Sequence, residues 1–173
     1  MNRPPRDLLE RLGAHHNVND FNSGNALLDE WLRRHALAAQ RMDSARTFVV
    51  TRSSHIIGYF SLTMGSVLRA EAPTRLVRGM PAYPVSMVLV ARLAVDQSAQ
   101  GSGAGAVLLA EALRKAAGAG EAAAARLIVV DAVDEYAAAF YERHGFLRTS
   151  EHPLRLYRRM KDVRASLDSA AKR

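Results

Sequence analysis

Three glycines at alternate positions, Gly101, Gly103 and Gly105, separate two apolar segments in the run RLAVDQSAQGSGAGAVLLAEALRKA, residues 92–116. A strand that ends in a glycine turn and opens a helix is suited to an anion. The first helical N–H groups have no intrahelical partner, and the helix dipole is positive at that end. Side chains would keep a pyrophosphate from those amides, and glycine removes them. Two better-known phosphate loops do not fit. A P-loop ends in Gly-Lys-Ser/Thr, whereas Gly105 is followed by Ala106 and Val107. The dinucleotide fingerprint G-x-G-x-x-G would need glycine at position 106 and normally opens a domain. A purely structural turn is the alternative that glycine spacing leaves open.

Other side chains have reactive potential. Tyr141, in FYERHGF, carries a phenol of ordinary pKa about 10, a group that can donate a proton at neutral pH. It could equally pack beside Phe140 as a core aromatic. Asp96, Asp131, Asp134 and Glu135 lie near these two segments in the chain, as caps, solvated charges or bases. The six histidines, His15, His16, His35, His55, His144 and His152, show no metal-ligand spacing, and no metal is expected. Absence of cysteine excludes disulfides and thiolate metal sites and agrees with a cytoplasmic protein.

The chain has 173 residues, with 24 Lys plus Arg against 17 Asp plus Glu and a formal charge of +7. Only Lys115, Lys161 and Lys172 are lysines. The planar fork of arginine suits phosphate oxygens, so a basic surface points to a polyanionic partner or an anionic ligand. A GC-rich coding bias would produce the same excess without function. Candidate phosphate contacts are Arg33, Arg34, Arg41, Arg75, Arg78 and Arg92, with the basic segment 155–164 as a further possibility.

The elements that must position these residues follow from periodicity. Residues 24–42 show helical spacing of Leu27, Leu28, Trp31, Leu32, Ala38, Ala39 and Met42, with Ser23 as N-cap. ARTFVVTR and HIIGYFSLTMGSV, joined by SSH, predict an antiparallel hairpin. Residues 68–84, with three prolines, read as a loop or short irregular helix. VSMVLVARLAV and RLIVVDA read as strands covered on both faces. Between them the glycines open a helix, and GAGEAAAA reads as a connection. EYAAAFYERHG predicts a helix stopped by Gly145, and LRLYRRM a last strand. The expected organisation is one domain over residues 1–161 followed by a charged, frayed C-terminal tail, 162–173. No apolar run is long enough to span a bilayer, and the opening MNRPPRDLLERLG is too charged for a secretory leader.

Taken together, these segments resemble the GNAT acetyltransferases. QGSGAG is similar to the family's Q/R-x-x-G-x-G/A signature at Gln100, Gly103 and Gly105. LAV at Leu93–Val95 resembles its central strand, and AAAFYERHGF its A-x-x-x-Y-E-x-x-G-F segment, roughly forty residues downstream. Across about residues 8–160 the pattern resembles the TacT-like toxins of type II toxin–antitoxin loci, which acetylate the free amine of aminoacyl-tRNA. Asp134 departs from the asparagine that many relatives carry there.

The resemblance implies an α/β (α+β) fold: a mixed central sheet with antiparallel N-terminal strands, splayed central parallel strands and flanking helices. It implies acetyl-CoA as co-substrate. Backbone groups of Leu93, Ala94 and Val95 would pair with the pantetheine arm, and Gln100, Gly101, Ser102, Gly103, Ala104, Gly105 and Ala106 would hold the pyrophosphate. Tyr141 would protonate the leaving thiolate. It further implies an aminoacyl-tRNA substrate, a ribbon-helix-helix antitoxin, DNA contact through that antitoxin alone, a homodimer and no membrane. The lack of an evident base fits this substrate. At pH 7 a lysine amine is neutral in ~0.04% of molecules, but an α-amine near pKa 7.7 in over ~10%. A protein N-terminus or a small amine is the alternative acceptor, and a non-catalytic RNA- or antitoxin-binding module the alternative class.

Overall fold

The computed structural model describes residues 6–173; the first five residues of the charged opening lie outside that range. Seven strands form one mixed sheet in the order β1-β2-β3-β4-β5-β7-β6. Chain contacts group into two compact units, one of residues up to Thr63 with Arg92–Glu111, the other of Met64–Ala91 with Ala112–Arg173.

In the first unit, β2 (Arg46–Arg52) and β3 (His55–Val67) form the expected antiparallel hairpin, β3 running on into the second unit. Ser53 and Ser54 both have positive φ, 48° and 66°. That geometry matches the strand twist in a two-residue loop. A short strand β1 (Leu8–Arg11), which periodicity did not reveal, pairs antiparallel with β2. The helical stretch is broken in two: α1 (Ala26–Arg34) and α2 (Ala36–Arg41) meet at His35. Its cap is Asn25 rather than Ser23. The Asn25 side chain accepts from the N–H groups of Leu27 and Leu28 at 3.1 and 3.2 Å, while Ser23 Oγ donates to buried Asp29 at 2.6 Å. Phe21, Leu28, Leu32, Val49, Ile56 and Tyr59 close the core of this unit. Each such apolar side chain contributes on the order of 1.5–3 kcal/mol by leaving water. The buried Tyr59 hydroxyl is satisfied by the Leu28 carbonyl at 2.7 Å.

In the second unit, parallel pairing of β4 (Val85–Val95) with β5 (Leu127–Asp131) runs from Met87↔Leu127 to Val90↔Val130. β5 also pairs antiparallel with β7 (Arg155–Arg159), and Leu127–Val130 are fully buried. Covering on both sides explains their unbroken apolar run. A two-residue strand β6 (Leu147–Arg148), not anticipated, pairs with β7. Helix α5 (Glu135–Arg143) is followed, as expected, by Gly145 at φ +86°.

Two expectations are corrected. GAGEAAAA is not a connection, because α4 (Ala104–Ala123) continues through it. Alanine's helix propensity offsets two glycines, and at Gly120 a Cβ would lie 2.5 Å from Met160 Cε, so glycine permits the close approach. Residues 162–173 are not a frayed tail, because α6 spans Met160–Ala171. Met160 and Val163, three apart on one helix face, are buried, and Arg159 pairs with Asp162 in the first turn.

Candidate active site

The glycine turn lies in the first unit. Asp96 caps a single 3₁₀ turn, Gln97–Ala99, that leads into it. Its carboxylate accepts from Ser98 N–H (2.9 Å), Ser98 Oγ (2.6 Å) and Asn22 N–H (2.9 Å), with His55 Nε2 3.7 Å away. Burial pushes the Asp96 pKa up, but these hydrogen bonds, helped by His55, outweigh it and hold the carboxyl below its usual value. Gly101 and Gly103 have φ of +76° and +82°, and a Cβ on either would meet nothing within 4 Å. These two glycines therefore answer a backbone demand and leave open space above the turn. Gly105 differs: it sits in the first turn of α4 without positive φ.

The first intrahelical bond is donated by Val107 N–H to the Gly103 carbonyl at 3.3 Å. The amides of Ala104, Gly105 and Ala106 thus have no acceptor within the helix. Ser102 Oγ donates to the Ala99 carbonyl (2.6 Å) and Gln100 Nε2 to the carbonyls of Ser23 and Val95, both at 2.8 Å. The Gln100 side chain is a brace for the turn, not a free ligand. A cavity of about 150 Å³ opens beside the turn, with Val95, Ser102, Ala104, Val107 and Leu108 in its wall.

Leu93, Ala94 and Val95 lie on β4 beyond the last residue paired with β5, Val90. A parallel strand that outruns its neighbour can accept an extended ligand by strand addition. With the open glycine turn and unpaired helical amides, this fits the pantetheine and pyrophosphate of acetyl-CoA.

Tyr141 lies in the second unit on α5, 4% exposed, with Phe140 and Phe146 edge-on to its ring. The core and acid readings of this residue are therefore compatible. Its hydroxyl donates to no described protein group, and burial, then Asp131, push its pKa above the ordinary phenol value. The phenol stays protonated at neutral pH, the state a proton donor requires. The carboxylates left open by sequence are all engaged. Asp131 takes a bidentate pair from Arg155 at 2.7 and 2.9 Å. Asp134 caps α5 by accepting from Ala137 N–H at 2.8 Å, and Glu135 joins Glu142 around Arg148. Sequence gave no signal for Asp131–Arg155, whose partners lie 24 residues apart.

Among the candidate phosphate contacts, Arg33, Arg34 and Arg41 are exposed in the first unit and Arg75 and Arg78 in the second. Arg34 makes an exposed ion pair with Glu30, and Arg33 a long 3.5 Å hydrogen bond to the Phe21 carbonyl. Arg92 is half-buried, its guanidinium 4.2 Å from the Trp31 ring centroid. In segment 155–164, Arg155, Arg159 and Arg164 are paired with Asp131, Asp162 and Glu121, which argues against a free basic strip. His15, His16 and Glu10 have ligand-type atoms within 4.8 Å of one another, a grouping that histidine spacing alone did not show. There His16 Nδ1 accepts from Gly13 N–H at 2.9 Å, so the ring fastens a loop. No helix among the described residues is long and apolar enough to cross a membrane.

Known proteins provide an independent comparison. A tRNA-acetylating toxin of Mycobacterium tuberculosis is 39% identical over 155 residues, covering 90% of this chain and 93% of that protein. The toxin AtaT in complex with acetyl-methionyl-tRNAfMet superposes with a TM-score of 0.85 at 26% identity, over 93% of this chain and 99% of that one. A tyrosine-to-phenylalanine variant of AtaT, bound to the C-terminus of the antitoxin AtaR and acetyl-CoA, gives a TM-score of 0.82 at 25% identity, over 94% and 99%. Residues 14–146 match the family model described as acetyltransferase (GNAT) family. The fold that the family resemblance implied is the fold observed, and the chain belongs to the GNAT family of acetyltransferases.

Proposed function

We propose that this protein acetylates the free α-amine of aminoacyl-tRNA from acetyl-CoA, inhibits translation as the toxin of a toxin–antitoxin pair, and is neutralised by a cognate antitoxin. The observation that carries this reading is the 39% identity to a tRNA-acetylating toxin, sustained over 90% of the chain. The finer reading is a cytoplasmic homodimer whose antitoxin is of ribbon-helix-helix type and supplies any DNA contact.

Acetyl-CoA supplies the activated acetyl thioester. The amides from Gly101 to Ala106 hold its pyrophosphate, and backbone groups of Leu93, Ala94 and Val95 align the pantetheine arm. As the acceptor nitrogen bonds to the acetyl carbon and the carbon–sulfur bond breaks, Tyr141 gives its phenolic proton to the departing sulfur. The surplus proton of the amine passes to solvent, and solvent returns one proton to the Tyr141 phenolate. Asp96, Asp131, Asp134 and Glu135 all have fixed hydrogen-bond partners. None is a free base for deprotonating a lysine, which favours an α-amine acceptor. Arg33, Arg34, Arg41, Arg75 and Arg78 are the exposed cations for tRNA phosphates, and Arg92 is held on Trp31.

The test is acetyl transfer from labelled acetyl-CoA to charged and deacylated tRNA. Label in the charged pool alone is expected. Label on protein N-termini or small amines, with charged tRNA left unmodified, would replace this acceptor with the alternative one. Acetyl-CoA binding without transfer to any amine would make the protein a binding module.

A further inference from the structure

A cavity of about 600 Å³ opens in the second unit, with Glu71, Asp131, Glu151, Leu154, Arg155 and Tyr157 in its wall. Arg155 neutralises Asp131 through two hydrogen bonds. Glu71 makes no side-chain hydrogen bond among the described residues; Arg155 and Tyr157 are within its electrostatic reach. Glu151 is exposed at the rim. With three carboxylates against one guanidinium and with His152, also in the wall, counted as neutral, the wall carries formal charge −2 in a chain of net charge +7 counted the same way. Such a wall repels phosphate and attracts a compact cation. It also offers apolar surface from Ala132, Pro153, Leu154 and the Tyr157 ring. Asp131 and Ala132 in the wall stand where β5 ends and the chain passes directly into α5, the helix that carries Tyr141, so the cavity adjoins the candidate proton donor's element. Asp131 also acts electrostatically on Tyr141.

An ammonium group beside a small organic side chain is the ligand chemistry that this wall suits. We propose that the cavity receives the aminoacyl end of the acceptor, Glu71 attracting its α-ammonium and disfavouring aspartyl and glutamyl side chains. The proposal rests on the aminoacyl-tRNA reading above and adds to it a discrimination by charge. Tyr141 and the glycine turn act on every acceptor alike; Glu71 sets which acceptors are taken. The amine is bound as its ammonium form and loses its proton to solvent through the open mouth before it attacks.

The test uses the full-length protein and the tRNA that it acetylates best, charged in turn with glycine, asparagine, aspartate, glutamine and glutamate. Within each isosteric pair shape is nearly constant and charge differs. The wild type should acetylate the asparaginyl and glutaminyl forms with kcat/KM at least about tenfold above their acidic partners, since like charges facing each other are strongly disfavoured. Glu71→Gln should narrow that ratio to within about threefold and raise KM for the neutral forms several-fold, with acetyl-CoA affinity unchanged as the check on folding. Equal treatment of the pairs by the wild type, or an undiminished ratio in Glu71→Gln, would overturn the proposal and leave the function standing. Acceptance of glycine with rejection of all four larger residues would overturn it too, because a cavity of this volume would then not be taking side chains. Transfer to no charged form, with transfer to free amines, would remove the aminoacyl-tRNA reading and this proposal together.

Discussion

In the proposed reaction the first unit would meet acetyl-CoA with backbone, whereas the second would supply side chains to the chemistry. In the first, Gly101 and Gly103 turn the chain at positive φ, the amides of Ala104–Ala106 stand without helical acceptors, and the Gln100 side chain serves as a brace. In the second, a phenol is buried to 4% exposure and carboxylates line a cavity. Backbone recognition tolerates most substitutions that respect φ and space. Side-chain chemistry fails with the loss of one atom. The contrast predicts that mutations in the two units will fail in different measurements.

Tyr141→Phe should show the largest effect. If its hydroxyl protonates the leaving sulfur, as proposed, the loss of that one group should lower kcat by ~10²-fold or more, with acetyl-CoA affinity nearly unchanged. Because burial raises the Tyr141 pKa, kcat should not fall through loss of this acid as pH rises from 7 to 10. Near-normal turnover in the Phe variant would reduce Tyr141 to a core aromatic and erase the difference between the units.

Gly103→Val should act in the opposite measurement. A β-branched residue at φ +82° is strained, and its side chain enters the open space above the turn. Acetyl-CoA affinity should fall ~10²-fold by calorimetry while the circular dichroism spectrum is kept. Gly105→Ala sharpens the point. Position 105 lacks positive φ, so a methyl there carries no backbone strain and should cost acetyl-CoA affinity clearly less than Gly103→Val, through its crowding of the proposed pyrophosphate alone; an equal loss would contradict the role given to φ.

Legibility in the sequence followed the same division. The glycine turn could be read because a rare residue recurs at a fixed spacing for a local steric reason. The β2–β3 hairpin, the buried β4 and β5, and the end of α5 at Gly145 were equally local. Asp131–Arg155 and Glu71 beside Tyr157 depend on chain segments brought together by the fold, and no spacing encodes them; the cap made by Asp134 is local, to a residue three positions on, and was one of the roles that sequence left open. The break between α1 and α2 was hidden because apolar periodicity continues across His35. The helix α6 was hidden by charge: its twelve residues, half of them polar, conceal two buried contacts, Met160 and Val163. For Tyr141 the proton-donor reading rests on family resemblance, since a tyrosine beside a phenylalanine on an apolar helix reads as core by composition.

The arginines give a smaller, graded effect spread over both units. Arg33→Ala, Arg34→Ala and Arg78→Ala should each weaken tRNA binding by a few-fold to about tenfold. Each lost phosphate contact should also flatten the slope of log K against log salt by about 0.7–0.9. Acetyl-CoA affinity should not move, because the proposed site holds its phosphates on amides. A wild-type slope near zero, measured by filter binding between 50 and 300 mM salt on the order of those values, would contradict a polyanionic acceptor.

The smallest effects concern the two aspartate caps, one in each unit. Asp96 is buried and accepts three hydrogen bonds, so its folded pKa lies below the unfolded value of 3.8. Its contribution to stability is complete above that value and is lost as pH falls through the folded pKa. Asp134 accepts one hydrogen bond, from Ala137 N–H, at an exposed helix end. Asp134→Ala should therefore cost about 1 kcal/mol, a fall in Tm of about 2–4 °C for a chain of this size. Asp134→Asn should be neutral, because asparagine caps as well as aspartate. Asparagine is also what the family resemblance leads one to expect at this position, so the departure seen in sequence is a conservative one at a cap. A loss of activity in Asp134→Asn at unchanged Tm would instead give the carboxylate a part in the reaction and move it from scaffold to site.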